Sequence, residues 1–380
     1  MALEKYCLLF ALLAAFVWLT NRILCSKMFV YIRSVTFDTD GASANERRST
    51  HMIYPEFLKK NARVGITAPS CGIPEEKTPL FSKSLDNLRA YGWTLELSDN
   101  VYKCGKIAST PGDVRANEFH ALIEDRSIDM VLAASGGDML IEMLEYIDYE
   151  KISANPKWIM GYSDITGLLL PITLRCDIAT VYGPNAGSFD MTELPPSLRS
   201  VFLLLEGKPQ IQRSSERHER ERIKGLDGYN LDTETVWNSP TGDFAASGRM
   251  LSSCIDCSSF LIGTDFAPVD RFIEKYKDDG IIWNFDNFAL SAETLYYTLW
   301  NMKNAGWFKH TRAVMISRTL FESSNFDLSY CEAAQNALGD IPLVLDTDTG
   351  HVKPMMPLVN GAMTKLTVCG KGGTVEQKFC

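Results

Sequence analysis

The sequence predicts an α/β fold built from two domains. Apolar runs typical of buried strands alternate with segments of helical spacing from residue 63 onward, which indicates a largely parallel sheet with helices on its faces. A polar, highly charged stretch interrupts this alternation, and a chain of 380 residues is long enough for two domains. We expect an amino-terminal domain over 53–190, a connection over 191–241 and a carboxy-terminal domain over 242–372.

The first domain begins with a predicted strand over Arg63–Ser70, which a Pro-Ser turn ends. Residues 80–91 have helical spacing, because Phe81, Leu85 and Leu88 fall on one face before the stop signal of a glycine. Further strands are predicted at 130–134 and 158–160, and further helices at 113–123, 140–146 and 165–174. Ligands of such sheets bind beyond the carboxyl ends of the strands, so residues that follow a strand are the candidates for function.

The second domain repeats the alternation with a larger share of strands. Strands are predicted at 280–285, 313–317 and 341–345, and a helix is predicted at 292–305. The connection that precedes them contains the mixed charge run Arg213–Arg222, for which a solvated loop is the ordinary interpretation.

The first 51 residues differ in composition from the rest of the chain. Tyr6–Leu19 is an unbroken apolar run that is short for a membrane span, and Thr36–Thr50 has the polar composition of a disordered linker. Three interpretations remain open: a membrane anchor through residues 6–25, a signal peptide, or an upstream extension of a domain that starts near Met52. We favour the extension, with the anchor as second choice. We therefore expect a cytoplasmic protein that contacts a membrane only if the anchor is real.

Charge and cysteine usage exclude several classes of function. A formal net charge of −9 gives no general attraction to nucleic acid, so we expect no nucleic-acid partner. Ten cysteines without regular spacing favour reduced thiols over a disulfide framework. Cys254 and Cys257 form a CxxC pair, but no second pair completes a zinc site. We predict two partly buried thiols there and no metal.

The strongest chemical signal is Gly161-Tyr162-Ser163-Asp164, which lies between the predicted strand 158–160 and the predicted helix 165–174. A sharp strand-to-helix turn presents a serine hydroxyl beyond the sheet, next to backbone N–H groups, as a nucleophile requires. The second glycine of the usual Gly-x-Ser-x-Gly turn is absent, since Ile165 stands there. A plain helix cap by Ser163 is the alternative.

A serine nucleophile needs a base, and the chain has five histidines. His351 is the best candidate by position, because it lies in a loop just past a predicted strand, where catalytic groups gather. The alternative is an incidental loop histidine. The others lie in the leader, inside a helix, in the charge run and after a helix: His51, His120, His218 and His310.

Several motifs together resemble one known family, the LD-carboxypeptidase serine peptidases, which include muramoyl-tetrapeptide carboxypeptidases and microcin C immunity peptidases. The similarity covers residues 53–368. The motifs, in chain order, are Ala68-Pro69-Ser70, Ala134-Ser135-Gly136-Gly137-Asp138, Leu144-Glu145-Tyr146-Ile147-Asp148, Asn155-Pro156-Lys157, Gly161-Tyr162-Ser163-Asp164-Ile165-Thr166, Tyr182-Gly183-Pro184 and Gly350-His351.

The resemblance implies Ser163 as nucleophile and His351 as general base. It also implies an oxyanion hole formed by backbone N–H groups of Gly136, Gly137 and Asp164, which would stabilise the charge of a tetrahedral intermediate. For the fold it implies a Rossmann-like or flavodoxin-like first domain and a β-rich α/β second domain of the swivelling type. No cofactor is implied, because a serine mechanism requires none.

The third catalytic position departs from the family. Members have a glutamate at the end of a strand, and Asp286 stands at that position here, flanked by Asn284 and Asn287. Aspartate can orient a histidine as glutamate does, but it is one methylene shorter. We therefore expect the strand to shift or a water to bridge. The alternative is a protein that keeps the pocket and binds a ligand without turnover.

The family implies a small peptide substrate with a D-amino acid as leaving group. The carboxylate of that residue needs a cation, and Arg249, Arg318 and Lys353 are the candidates. The immunity-type branch instead cleaves peptidyl or aminoacyl nucleotide analogues. Trp237 or Trp283 could stack on the adenine of such a substrate. The ordinary role of both tryptophans is to fill the core. Family members are often homodimers, so a homodimer is implied as well.

Overall fold

The computed structural model describes residues 51–379, and its first sheet has five parallel strands and one antiparallel strand. The parallel strands are β1 (Arg63–Thr67), β2 (Thr94–Leu97), β3 (Met130–Ala133), β4 (Trp158–Gly161) and β5 (Thr180–Tyr182). They lie in the order β2-β1-β3-β4-β5, which is the flavodoxin-like order. The order reverses between β1 and β3, and ligand sites of such sheets form at the carboxyl ends of strands near that point.

Helices of the expected spacing connect these strands. They are α1 (Thr78–Tyr91), α2 (Gly112–Glu124), α3 (Tyr149–Ala154) and α4 (Thr166–Cys176). In α1 the face formed by Phe81, Leu85 and Leu88 is buried, as the spacing predicted, and the helix ends at Gly92 in a positive-φ conformation. Leu140–Tyr146, predicted as an α-helix, is a 3₁₀ segment, the form that short connectors commonly take.

The segment between the two sheets is more ordered than its charge run suggested. It contains helix α5 (Pro196–Leu205), strand β6 (Ile211–Arg213) and a ribbon of β7 (Arg217–His218) and β8 (Thr233–Glu234). Glu219, within the predicted solvated run, is buried, and its carboxylate accepts the N–H of Asn230. The solvated-loop prediction is therefore wrong at this residue, because the segment folds back over the protein.

The second sheet has seven strands, four of them parallel. Its remaining members are β9 (Phe244–Cys254), β10 (Ile281–Asp286), β11 (Thr311–Ser317), β12 (Leu343–Thr347), β14 (Met363–Cys369) and β15 (Gly372–Lys378), and they lie in the order β12-β11-β10-β9-β14-β15-β6. Its helices are α6 (Ile255–Ser258), α7 (Val269–Lys275), α8 (Ala292–Asn304) and α9 (Tyr330–Leu338). The predicted α/β fold class is confirmed.

One strand crosses between the two sheets. Strand β13 (Leu358–Asn360) follows the loop that carries His351, and it pairs antiparallel with β5 as the edge of the first sheet. A continuous hydrophobic core also includes residues of both sheets, such as Met160 and Phe285. All described residues accordingly belong to one compact unit.

The predicted leader, anchor or start-site extension over residues 1–51 lies almost entirely outside the described part of the chain. Across residues 51–379, no helix has the length and apolar character needed to cross a membrane.

Candidate active site

Ser163 lies at the turn between β4 and α4. Its backbone has a φ of 66°, in the left-handed region that residues other than glycine rarely adopt, and a short 3₁₀ turn over Ser163–Ile165 leads into the helix. The preceding N–H, that of Tyr162, donates to Asn185 Oδ1. The sharp turn between strand and helix is what the Gly-Tyr-Ser-Asp motif predicted, and a positive φ at a residue other than glycine is typical of functional turns.

His351 contacts Ser163 directly. It lies in the loop after β12, and its Nε2 is 3.0 Å from Ser163 Oγ. The imidazole packs between two aromatic rings, with centroid separations of 5.0 Å to Tyr162 and 4.5 Å to Phe288. These rings fix the plane of the imidazole, so Nε2 stays within hydrogen-bond reach of the serine.

Asp286, the last residue of β10, is fully buried, and its Oδ2 lies 2.8 Å from His351 Nδ1. The carboxylate reaches the imidazole directly, so the bridging water that was one of the two expected alternatives is not needed. The carboxylate lies off the line of the Nδ1–H bond, however, so the contact is short but bent. The structure thus brings together Ser163, His351 and Asp286 from two sheets.

Gly350 explains how a side chain one methylene shorter than glutamate makes this contact. A Cβ atom on Gly350 would lie 2.0 Å from Asp286 Oδ1 and 2.9 Å from Ser317 Oγ. Only a residue without a side chain permits so close an approach. The absence of a side chain at Gly350 therefore lets the histidine loop pack directly against Asp286.

The remaining partners of the Asp286 carboxylate favour its ionised form. Oδ1 accepts Ser317 Oγ at 3.1 Å and the backbone N–H of His351 at 3.3 Å, and Oδ2 accepts the Tyr182 hydroxyl at 2.6 Å. Burial opposes ionisation, but His351, Tyr182 and Lys353 outweigh it and hold the pKa of Asp286 below its usual value.

The two asparagines near Asp286 make no hydrogen bond to its carboxylate. The Asn284 side chain bonds to Ser252 and Thr349. The Asn287 side chain accepts the N–H of Leu290 in the following loop.

Tyr182 is a site residue whose role the sequence did not reveal. It is the last residue of β5 and is completely buried, and its hydroxyl accepts the N–H of Ser163 at 3.3 Å while donating to Asp286. Burial, followed by the charge of Asp286, raises the pKa of Tyr182 well above its ordinary value, so the hydroxyl remains a donor. The Tyr182-Gly183-Pro184 motif was the available signal, but in a buried strand a tyrosine has the appearance of a core residue.

The backbone of the Gly136-Gly137 turn lies beside Ser163. A Cβ atom on Gly136 would be 3.3 Å from Ser163 Oγ, and one on Gly137 would be 2.3 Å from Ser70 Oγ. Within residues 51–379 the N–H groups of both glycines have no protein acceptor. These two donors are therefore available to a ligand, and their part in an oxyanion hole stays a prediction from the resemblance.

The side chain of Asp164 holds this turn in place. Its buried carboxylate accepts the Ser70 hydroxyl and the N–H of Leu140, and so connects the loops after β1 and β3 to the nucleophile turn. Burial raises the pKa of Asp164, and these two hydrogen bonds offset part of that increase. Arg115, also buried, donates to the carbonyls of Pro69 and Met139 and braces the same loops.

Two of the three proposed carboxylate-binding cations are already paired with internal carboxylates. Arg249 forms an ion pair with Asp279 and donates to the carbonyl of Gly361. On strand β9 it lies five residues before Cys254, which is the residue paired with Asp286. At about 3.3 Å per residue it is some 17 Å along the strand from the site. Arg318 is near Asp286 but forms a buried ion pair with Asp348. Both predictions are corrected, because internal carboxylates already bind these guanidinium groups.

Lys353 is the third cation, and it lies at the site. It lines a cavity of about 470 Å³ together with Gly136, Tyr162, Asn185 and Tyr229. Its ammonium lies 4.7 Å from the centroid of the Tyr162 ring. This cavity is the space in which a substrate of Ser163 can lie.

Neither tryptophan suggested as an adenine platform reaches the cavity. Trp237 is buried and donates to Asp348, and Trp283 is stacked between Phe285 and Trp307 in the core.

The two cysteines of the CxxC pair are free thiols. Cys254 is buried and Cys257 is half-buried. The part of the chain that the structure describes contains no cluster of side chains able to hold a metal ion.

Comparison with known proteins agrees with this geometry. Residues 64–183 match the model of the LD-carboxypeptidase N-terminal domain, and residues 247–366 match that of the LD-carboxypeptidase C-terminal domain. The chain is also 43% identical over 294 residues to the microcin C7 self-immunity protein MccF of Escherichia coli, which covers 74% of this chain and 81% of that protein. The chain belongs to the LD-carboxypeptidase family.

Solved structures support the same fold for this LD-carboxypeptidase family member. MccF in complex with aspartyl sulfamoyl adenosine aligns with a TM-score of 0.73 over 86% of this chain and 99% of that one. The identity is 23% over this longer structural alignment, against 43% over the 294 residues of the sequence alignment. A muramoyltetrapeptide carboxypeptidase from Oxalobacter formigenes aligns with a TM-score of 0.67 at 15% identity, over 84% and 99% of the two chains. These structures show the MccF-like two-domain fold, and the family match identifies a hydrolase of the carboxypeptidase class.

Proposed function

We propose that this protein is a serine carboxypeptidase of the LD type, which hydrolyses the amide between an L-configured centre and a D-amino acid. The observation that carries the proposal is the contact chain from Ser163 Oγ to His351 Nε2 at 3.0 Å and from His351 Nδ1 to Asp286 Oδ2 at 2.8 Å. A serine, a histidine and a buried carboxylate in this order form an acyl-transfer triad.

In the first step Ser163 Oγ attacks the carbonyl carbon of the scissile amide while His351 Nε2 takes the hydroxyl proton. Asp286 remains ionised and stabilises the imidazolium that forms, in agreement with its lowered pKa. The resulting oxyanion accepts hydrogen bonds from the N–H groups of the Gly136-Gly137 turn and of Asp164. These donors are preset, because Arg115 and the Asp164 carboxylate hold the surrounding loops.

Collapse of this intermediate breaks the C–N bond, and His351 returns its proton to the amine of the leaving residue. Water then attacks the ester on Ser163, with His351 again acting as base, and the peptide acid is released. The net reaction consumes one water and requires no cofactor. In peptidoglycan turnover, a tetrapeptide that loses its terminal D-alanine would be the corresponding substrate.

The direct test is the release of D-alanine from an L-Lys or diaminopimelate tetrapeptide by the full chain. Turnover is expected in the natural protein and a loss of about 10³-fold or more in Ser163→Ala. Ser127→Ala, at an exposed serine far along the chain, serves as the matched control and should retain activity. Equal turnover in the natural protein and Ser163→Ala would refute the serine mechanism.

A second candidate is cleavage of peptidyl or aminoacyl nucleotide analogues. The 43% identity to MccF is the observation that favours it. The same triad serves both reactions, so the distinction lies in the leaving group. Hydrolysis of an aspartyl sulfamoyl adenosine without release of D-alanine from the tetrapeptide would favour this candidate over the first.

Two further expectations from the family stay proposals. The first is a non-catalytic binder, which the replacement of glutamate by Asp286 suggested; the direct contact of Asp286 with His351 favours the catalytic proposal over it. We also propose a homodimer. Light scattering coupled to size-exclusion chromatography would give about twice the chain mass of 42.5 kDa if it is correct.

A further inference from the structure

Four cationic side chains are buried in the described part of the chain, and Lys353 differs from the other three. Arg115 pairs with Glu142, Arg249 with Asp279 and Arg318 with Asp348. Lys353 is only 8% exposed, and within residues 51–379 no carboxylate lies within ion-pair distance of its ammonium. Buried charges are almost always paired, so an unpaired one facing a cavity indicates an anionic ligand.

The contacts that Lys353 does make are weak. Its Nζ lies 3.4 Å from the carbonyl oxygen of Gly350, 3.9 Å from Met355 Sδ and 4.7 Å from the centroid of the Tyr162 ring. An ammonium has three N–H donors, and one long bond to a carbonyl does not satisfy them. The Tyr162 ring stabilises the charge through a cation–π contact without using its directional donors. Donor capacity therefore remains for a ligand.

The position of this ammonium relative to the nucleophile is informative. Lys353 and Gly136 line the same cavity, and the Cβ position of Gly136 is 3.3 Å from Ser163 Oγ. In a peptide, the carboxyl carbon of the terminal residue is two bonds beyond the scissile amide nitrogen. A group that binds this carboxylate must therefore lie on the cavity side of Ser163. Lys353 lines that cavity and contacts the ring of Tyr162, the residue before Ser163.

We propose that Lys353 binds the free α-carboxylate of the leaving residue and so makes the protein a carboxypeptidase. The inference rests on the proposed function, because it assigns a ligand group within the same cavity. It predicts that substrates ending in a carboxylate are preferred over otherwise identical substrates ending in a carboxamide. A charged hydrogen bond to a buried carboxylate corresponds to a preference of about 10- to 100-fold.

The test compares the tetrapeptide acid with its C-terminal amide in the full chain, in Lys353→Met and in Lys353→Arg. Lys353→Met should lose about 10- to 100-fold in kcat/KM on the acid and change little more than about 3-fold on the amide. Lys353→Arg should keep part of the preference because it keeps the charge. Lys365→Met, at an exposed lysine on β14, is the matched control.

The ratio of the two substrates is the decisive quantity. Lys353 also helps to keep Asp286 ionised, so Lys353→Met can slow both substrates through the triad. Only contact with the carboxylate makes the loss specific to the acid. Equal losses on acid and amide would overturn the proposal, and so would a natural protein that shows no preference.

A binding measurement separates this inference from the proposed function. Calorimetry with Ser163→Ala, with and without Lys353→Met, measures affinity for both peptides whether or not the natural protein turns them over. A preference for the acid that disappears with Lys353→Met supports the subsite even if no D-alanine is released. Failure of the acid to bind, or equal binding of acid and amide, would overturn it.

Discussion

The hydroxyl of Tyr182 donates a 2.6 Å hydrogen bond to Asp286 Oδ2 and accepts the N–H of Ser163 at 3.3 Å. One side chain thus joins the backbone of the proposed nucleophile to the carboxylate that contacts His351. Tyr182 and Ser163 belong to the first sheet and its loops, whereas Asp286 belongs to the second. We infer that this hydroxyl keeps the two halves of the triad in register.

Removing that hydroxyl should slow the chemical step more than substrate binding. In Tyr182→Phe we expect kcat to fall about 10-fold or more, since a hydrogen bond to a charged group is lost, while KM changes little because Tyr182 is buried away from the cavity. Steady-state kinetics give both quantities. Tyr276→Phe is the matched control, because its hydroxyl also donates to an aspartate, Asp177, outside the site. A purely structural role would produce similar losses in the two variants.

The same hydrogen bond predicts a dependence of stability on pH. The folded pKa of Asp286 is below its usual value, so its ionisation stabilises the fold fully above the unfolded pKa of about 3.9. That contribution is lost as pH falls through the lower folded pKa. The stability gap between the natural protein and Tyr182→Phe should be about 1.5–3 kcal/mol at pH 7 and smaller near pH 3, as measured by urea unfolding. A gap that does not change with pH would contradict this role of the carboxylate.

Restoring the family glutamate should not restore a better triad. Asp286 is fully buried, and Oδ1 already lies against Gly350 and Ser317, so an added methylene has no space. We expect Asp286→Glu to lose about 1–3 kcal/mol of stability through overpacking and to lower kcat/KM. Asp286→Asn, which keeps the size, should lower kcat by about 10³- to 10⁴-fold. Higher turnover in Asp286→Glu would show that the bent contact limits the natural protein.

Gly350 is expected to be irreplaceable. In Gly350→Ala the new methyl would collide with Asp286 Oδ1, so the loop of His351 must move away from the carboxylate. Loss of both activity and about 1–3 kcal/mol of unfolding free energy should follow. Gly187→Ala is a stability control, because its Cβ would meet only ordinary contacts at 3.5 Å or more. Activity retained in Gly350→Ala would mean that the loop adapts.

The positive φ of Ser163 predicts a conflict between stability and activity. In this conformation a residue with a Cβ costs about 1–2 kcal/mol more than glycine. Ser163→Gly and Ser163→Ala both remove the hydroxyl, so the difference between them isolates the backbone strain. We expect Ser163→Gly to be more stable than Ser163→Ala by about 1 kcal/mol in chemical denaturation, with both inactive. Equal stability would mean that the turn relaxes in the variants.

Residues at the ends of strands were predictable from the sequence, because a local pattern marks them. Ser163 follows a short apolar run and precedes a helix, and His351 follows a strand in a polar loop. To predict these two positions it was enough to recognise the alternation of strands and helices and to know that functional residues commonly follow the ends of strands. The structure brings the two side chains within hydrogen-bond distance.

Partners across the fold could not be predicted in this way. Arg249 and Arg318 looked free in the sequence, since nothing local shows that Asp279 and Asp348 bind them. The reach of Asp286 depended on Gly350, which is 64 residues away along the chain but adjacent in space. Long-range pairing, rather than local propensity, determines each of these cases.

Strand β13 imposes a limit on how this protein can be divided. It comes from the carboxy-terminal part of the chain, yet it completes the first sheet by pairing with β5, the strand that ends in Tyr182. In a truncated chain ending before Leu358, β5 would be an unpaired edge strand. Its exposed N–H and C=O groups would be prone to pair with other chains. A cut at the predicted boundary near residue 242 would therefore yield an aggregating fragment instead of an autonomous half, and split-protein reassembly would have to restore β13 before any catalysis returned.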